Sequence, residues 1–325
     1  MAHCHHIVFC LILLPTIIKT YNRKMAHEIT VNKTQSRGFL LFTAGVLFAF
    51  LWASAATATK LGLQSAQPFV ICIARFFFAG IIMLVITHLF MGNRMPARTE
   101  WKPLAVYGFL NISLYLGLYV VAMKNVSPGL GSMAIATNPV MISLTSALLF
   151  KQRIKAITWT SLFLCTAGVL IAAYPLLQSS YATPTGLTIL FCSMLSYSIG
   201  VLYFSKQNWS DLHILTINGW QTLLGGIFLL PIAAVTYEPS LNHWDLRFAG
   251  SVLWLAVPVS ILGVQLWLFL LRDNPLKASF WLFLCPVFGY LIANLVMKEP
   301  INAWTVTGLA LVLGGLYLVQ RAKKG

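Results

Sequence analysis

The sequence predicts an all-α membrane protein of ten transmembrane helices, arranged as two inverted five-helix repeats. Three observations carry that prediction: charge is scarce, apolar runs of spanning length follow one another along the chain, and the second half repeats the first. Of 325 residues, 58% are hydrophobic and 9% charged, with a mean hydropathy of +0.80. A surface solvated by water carries roughly 25% charged residues, so lipid must solvate most of this one. The six cysteines lack paired spacing, and four (Cys72, Cys165, Cys192, Cys285) sit inside apolar runs, where they read as small buried hydrophobes.

The spans are expected at about 39–59, 68–90, 103–122, 128–150, 156–175, 184–205, 213–236, 250–271, 277–297 and 301–320. Without the dyad alternation of barrel strands, only helices satisfy a backbone in lipid. The net charge of +15 could suggest nucleic acid, but the basic residues lie between apolar blocks rather than on a polar face. With the N-terminus in the cytoplasm, 17 Lys and Arg fall inside and four outside (Lys60, Lys124, Arg247, Lys298), leaving Arg75 within a span. That split is what the positive-inside rule expects of ten spans with both termini cytoplasmic. A lipid bilayer and a small-molecule substrate are therefore the expected partners, and nucleic acid is not. The expected location is the plasma membrane, or the inner membrane in a bacterium.

Residues 1–38 read as a cytoplasmic tail. Ile7–Ile18 is too short to span and has no basic residue ahead of it, which makes it a poor signal peptide. Met25-Ala26-His27 repeats the opening Met1-Ala2-His3, so residues 1–24 are expected to precede the natural start at Met25. His3, Cys4, His5 and His6 have metal-ligand chemistry, but a chain terminus supplies no preformed site, and no metal or cofactor is expected.

A shift of 147 residues aligns the fourth and fifth spans with the ninth and tenth. Pro128/Pro275, Ser132/Ser279, Pro139/Pro286, Lys151/Lys298, Thr158/Thr305 and Gly168/Gly315 then coincide without a gap. Apolar composition does not produce matches of that kind. An odd number of spans per unit turns the second unit over, an arrangement used by alternating-access carriers with a solute site near the midplane. The two units are expected at 39–175 and 184–321.

Phe50-Leu51-Trp52-Ala53-Ser54 with Lys60, Arg75 early in the second span, and Ser127-Pro128-Gly129 through Asn138-Pro139 to Lys151-Gln152 form one ordered set of motifs. Part of that set returns as Asn274-Pro275, Cys285-Pro286 and Lys298-Glu299-Pro300. In this order the motifs resemble the ten-span EamA-type members of the drug/metabolite transporter superfamily, over about residues 39–321. The resemblance implies a central cavity between the halves, with spans 5 and 10 more peripheral. It also implies export or exchange of amino acids or related metabolites.

Arg75 is the sharpest candidate for a binding residue. Near the middle of a membrane an arginine costs at least about 2.5–3.5 kcal/mol, so it should meet a wet cavity or a partner. It would serve as counter-charge to a substrate carboxylate or phosphate, or else snorkel outward or bond helix carbonyls. Asn111, Tyr115 and Tyr119 recur at i, i+4 and i+8 and share a helix face, which suits either cavity lining or packing between helices. Trp52, Asn138, Gln221, Gln265 and Trp281 are further substrate-binding candidates, and Asn218 stripes one face with Gln221 or Thr222 and Gly225. Pro139 and Pro286 occupy matched positions within spans and are expected to act as hinges. All seven acidic residues fall in tails, loops or span ends, which argues against a proton-binding carboxylate in the membrane and favours neutral or anionic solutes.

No cluster of acidic or His/Glu metal ligands lies in the spans, whose only histidine is His88 near an end, so an enzyme is not expected. A channel or receptor-like bundle is the competing reading, and the inverted repeat with its prolines favours a carrier.

Overall fold

The computed structural model describes residues 39–151, 156–178, 181–209, 211–273 and 281–322. The amino-terminal His/Cys cluster and the proposed restart at Met25 lie outside them. The chain divides into two compact units, Met1–Val46 and Leu47–Gly325. Of the first, residues 39–46 are described and are helical. Everything that follows concerns the second unit.

Helices dominate the described residues, and the one β-bridge joins Val126 to Ala182. In chain order the helices are α1 (Phe39–Gly62), α2 (Pro68–Phe90), α3 (Trp101–Ala122), α4 (Pro128–Ala136) and α5 (Asn138–Leu149). They continue as α6 (Ala156–Gln178), α7 (Pro184–Lys206), α8 (Ile214–Thr236), α9 (Leu246–Trp267), α10 (Leu284–Met297) and α11 (Ala303–Ala322). Seven of them are long and apolar enough to cross a bilayer, and the bent pair α4–α5 makes an eighth span if counted as one. The helices α10 and α11 are apolar but present shorter apolar segments.

Local chemistry sets the helix starts. Pro68, Pro128 and Pro184 each stand in a first turn, where the missing N–H costs nothing. Thr183 accepts the Gly186 N–H at 3.0 Å, and Asp245 accepts the Phe248 N–H at 2.8 Å, each capping a helix. The Asp245 carboxyl is held below the usual carboxylate range, chiefly by that backbone bond.

Three spans are not regular α-helix throughout. π-helical turns occupy Ile86–Phe90 in α2, Phe109–Leu116 in α3 and Leu255–Gly263 in α9. Such widened turns leave carbonyls poorly paired, and neighbouring hydroxyls compensate. Ser193 Oγ donates to Tyr115 O at 2.8 Å and Ser196 Oγ to Leu110 O at 2.9 Å. The helix α3 also runs very close to α8, because a Cβ on Gly108 would stand 2.6 Å from Gln221 O.

The fourth span departs from the single helix expected over 128–150. It breaks between α4 and α5 with a bend of 46°. Pro139 stands in the first turn of α5 rather than within an unbroken helix. Pro286 likewise stands in the first turn of α10, after turn residues Leu282 and Phe283. Both prolines therefore begin helices after a break, where a missing donor is harmless, instead of removing a bond inside one.

The pairing of α6 with α11 bears on the repeat. A Cβ on Gly168 would stand 2.6 Å from Gly308 O and 2.9 Å from Val312 Cγ2. A Cβ on Gly315 would stand 2.8 Å from Ser161 O and 2.7 Å from Cys165 Sγ. As numbers rise on one helix they fall on the other, so the two run antiparallel. Shifting the first pair of contacts by 147 residues, 168 to 315, 308 back to 161 and 312 back to 165, reproduces the second. Lys151 and Lys298 show the same correspondence. Among the described residues they are the two non-glycine residues with left-handed φ, at 51° and 57°.

Of the four cysteines in apolar runs, Cys72, Cys165 and Cys285 are buried, while Cys192 is exposed on the face of α7 away from the bundle. Trp159, Trp244 and Trp304 are also exposed, as residues of an interfacial belt would be.

Candidate functional site

Arg75 organises the site. It projects from α2 and is 5% exposed. Its Nε and Nη2 donate to a single acceptor, Ser260 Oγ, at 3.3 and 3.1 Å. The Ser260 hydroxyl in turn donates to Leu255 O at 2.8 Å, five residues back in the π-helical stretch of α9. The widened turn aims the hydroxyl at Arg75 while keeping it satisfied. Nη1 makes no hydrogen bond to the described residues.

Beside the guanidinium is a cavity of about 110 Å³, room for several waters or a small solute. Trp52, Phe76, Tyr115, Tyr119 and Tyr197 supply aromatic walls, and Arg75, Asn111, Asn218, Thr222 and Ser260 supply polar ones. No carboxylate lines it, so Arg75 gives it a positive character.

An amide relay forms the wall on the α8 side. Asn111 Nδ2 donates to Gln221 Oε1 at 3.2 Å, and Gln221 Nε2 to Asn218 Oδ1 at 2.8 Å. Asn218 Nδ2 ends the relay on Met83 Sδ at 3.2 Å. This polarity leaves Asn111 Oδ1 buried without a partner among the described residues, and the Tyr119 hydroxyl is buried and unpartnered as well. Buried polar atoms are nearly always satisfied, and an orphan calls for an explanation. Here two orphans border a cavity that also holds free guanidinium N–H groups.

The EamA-like transporter family matches twice, over residues 37–174 and 184–321. The chain belongs to the EamA-like transporter family. Consistent with this, an uncharacterised transporter of Archaeoglobus fulgidus is 28% identical over 84% of this chain and 95% of its own length. PecM of Dickeya dadantii is 26% identical over 84% and 91%. The inner membrane transporter YedA of Escherichia coli is 25% identical over 87% and 92%. A solved crystal structure superposes with a TM-score of 0.60 over 88% of this chain and 99% of that one, which at 18% identity is likeness of fold. This EamA-like protein is thus a multi-pass membrane transporter of small solutes.

In this EamA-like transporter, five of the sequence candidates meet at one cavity: Trp52, Arg75, Asn111, Tyr115 and Tyr119. Gln221 stands behind the wall and orients Asn111. Asn138 is buried at the start of α5, against the side chain of Tyr115, with its Oδ1 unpartnered. Gln265 follows the lining residue Val264 without lining the cavity itself, and its Nε2 is buried and unpartnered. Trp281 does not line the cavity, and its carbonyl accepts a weak bond from Cys285 Sγ at 3.9 Å. Ser260 and Tyr197 line it unforeseen. Pro258, inside an apolar run two residues before Ser260, was the available sign of an irregular turn there.

Away from the cavity, Arg94 clasps two carboxylates. It donates to both oxygens of Glu100 at 2.8 Å and, through Nε and Nη2, to Asp211 Oδ1 at 2.9 and 2.6 Å. This joins the α2–α3 loop to the α7–α8 loop. The guanidinium holds both carboxyls below their usual range, and they push its own affinity for the proton up.

Proposed function

We propose that this EamA-like protein is an alternating-access carrier that exports or exchanges small metabolites, most plausibly amino acids or related neutral or anionic solutes, across the plasma membrane. The observation that carries the reading is the cavity itself. A buried guanidinium with uncommitted N–H groups faces an amide oxygen and a tyrosyl hydroxyl that lack partners. A carboxylate or phosphate would take the Arg75 donors in charge-assisted bonds. An ammonium, amide or hydroxyl on the same solute would donate to Asn111 Oδ1 and exchange a bond with Tyr119. Ser260 holds Arg75 between turnovers, and the aromatic walls cover the apolar part of the solute.

The architecture proposed is ten spans, with α4–α5 counted as one, in two oppositely inserted halves at 39–175 and 184–321. Its support is the antiparallel α6–α11 pair, whose contacts interchange under the repeat shift, together with the matched φ of Lys151 and Lys298. Helices of equal rank that pack antiparallel are what a two-fold axis in the membrane plane produces. The charge count supports cytoplasmic termini, and the bacterial relatives support an inner membrane. In this scheme Pro139 and Pro286 mark the breaks about which the halves rock.

Flux of radiolabelled amino acids and small carboxylates into proteoliposomes tests the proposal. Uptake that saturates and is accelerated by unlabelled solute on the opposite side is expected. Unsaturable conductance would exclude a carrier.

A further inference from the structure

Glu299 lies in the loop after α10, yet it is 1% exposed. It forms no ion pair among the described residues. Instead its carboxylate sits on the first turn of α4, accepting from Ser127 Oγ at 2.5 Å and from the Gly129 N–H at 2.9 Å. Ser127 also accepts from Leu130 N at 3.4 Å, so the α10–α11 loop and the start of α4 are joined by one network. Gly129 makes the approach possible, because a Cβ there would stand 2.8 Å from Glu299 Oε1 and run into the Tyr290 ring. The Tyr290 hydroxyl, on α10, is buried and unpartnered.

The charged groups around this carboxylate do not neutralise it. Lys60, on α1, commits its ammonium to three carbonyls at the end of α3, Met123, Lys124 and Val126, at 2.7, 3.1 and 3.1 Å. It acts on Glu299 through space only. Lys298 is exposed beside it, and Lys124 is exposed past the end of α3. On its own loop, Asn294 Nδ2 donates to the Glu299 backbone oxygen at 2.8 Å, and the cap of α11, Asn302 with Thr305, carries no titratable group. Burial pushes the Glu299 carboxyl up, and the Ser127, Gly129 and Lys60 interactions oppose that in descending order.

We propose that Glu299 is a proton-binding site that sets how firmly the first turn of α4 is held. Ionised, it accepts two charge-assisted hydrogen bonds from that turn. With a proton on one oxygen the bonds become neutral ones, roughly half as strong. The helix α4 transmits the change, because it carries Ile135 into the cavity wall, and a Cβ on its Gly131 would stand 2.9 Å from the Tyr119 hydroxyl. Acid outside therefore loosens the helix that closes one side of the solute cavity. The bearing on solute movement rests on the carrier reading; the proton site itself does not.

Amide hydrogen exchange of the detergent-solubilised full chain tests it, with rates corrected for the pH dependence of unstructured peptides. Protection of the amides of Gly129 to Gly131 should fall about three- to tenfold between about pH 8 and about pH 5, while α6 stays unchanged. Glu299→Gln should show the low protection at both pH values. Ser127→Ala removes a donor that favours the ionised form, so its midpoint should move to higher pH. Protection of the native chain that ignores pH, the same pH dependence in Glu299→Gln, or an unmoved midpoint in Ser127→Ala would each overturn the assignment. If Glu299→Gln does not fold, the native chain and Ser127→Ala still decide it. A positive exchange result without saturable flux would leave the proton site standing and remove the carrier.

Discussion

Replacing Arg75 separates binding from folding. In the free cavity its guanidinium spends two N–H groups on one hydroxyl, at 3.3 and 3.1 Å, both longer than a strong charged bond. A solute carboxylate would add at least one charge-assisted bond in a site 5% exposed to solvent. Hydrogen bonds to charged groups contribute about 1.5–3 kcal/mol, which corresponds to about 10- to 150-fold in affinity. Arg75→Gln should therefore raise the half-saturating concentration of an anionic or zwitterionic solute by at least about tenfold. Folding should survive, because the variant removes a buried charge whose only bonds to the described residues are to Ser260. Arg75→Lys keeps the charge but loses the planar fork and should fall between the two. The assay is concentration-dependent uptake in proteoliposomes, normalised to monodisperse protein, for the solute giving the largest flux in the panel. Near-native uptake by a well-folded Arg75→Gln would refute the assignment of Arg75 to the site.

Tyr119→Phe deletes a hydroxyl that has no partner, so thermal stability in detergent should hold or rise slightly while solute affinity falls several-fold; an unchanged affinity would make Tyr119 a packing residue. Gly168→Ala places a methyl against backbone atoms of α11 that cannot turn aside. It should cost about 1–3 kcal/mol in the midpoint of thermal unfolding, and Gly250→Ala, with nothing within 4 Å, is the matched control. The Arg94 clasp should open in acid. Its carboxylates titrate lower in the folded protein than in the unfolded chain, so its contribution is present above their ordinary range and is lost as pH falls through the lowered values. Exchange of loop amides near Ala97 should rise on acidification in the native chain, and be high throughout in Arg94→Ala.

Much of the fold was legible because lipid imposes a simple rule. A segment that spans must be apolar, helical and about 20 residues long, and these runs declare themselves in composition. Arg75 was legible for the same reason, as a charge where charge is costly, and the stripe Asn111, Tyr115, Tyr119 followed from helical period. Ser260 was not, because a serine in an apolar run bonds its own helix as readily as a neighbour; only the widened turn of α9, set against α2, gives it to Arg75. Glu299 was misjudged by position. A loop carboxylate reads as solvated, and its burial depends on Gly129, 170 residues away, leaving room for it.

By itself, then, the sequence determined the helical class, the repeated halves and a lone arginine in the apolar region, since each follows from composition or local period. Tertiary structure alone decided which polar groups meet. It put Ser260 under Arg75, left Asn111 Oδ1 and the Tyr119 hydroxyl without partners at the same cavity, and closed Glu299 onto α4. Those outcomes turn on separations of a few ångströms between segments far apart in the chain, and no local pattern encodes them.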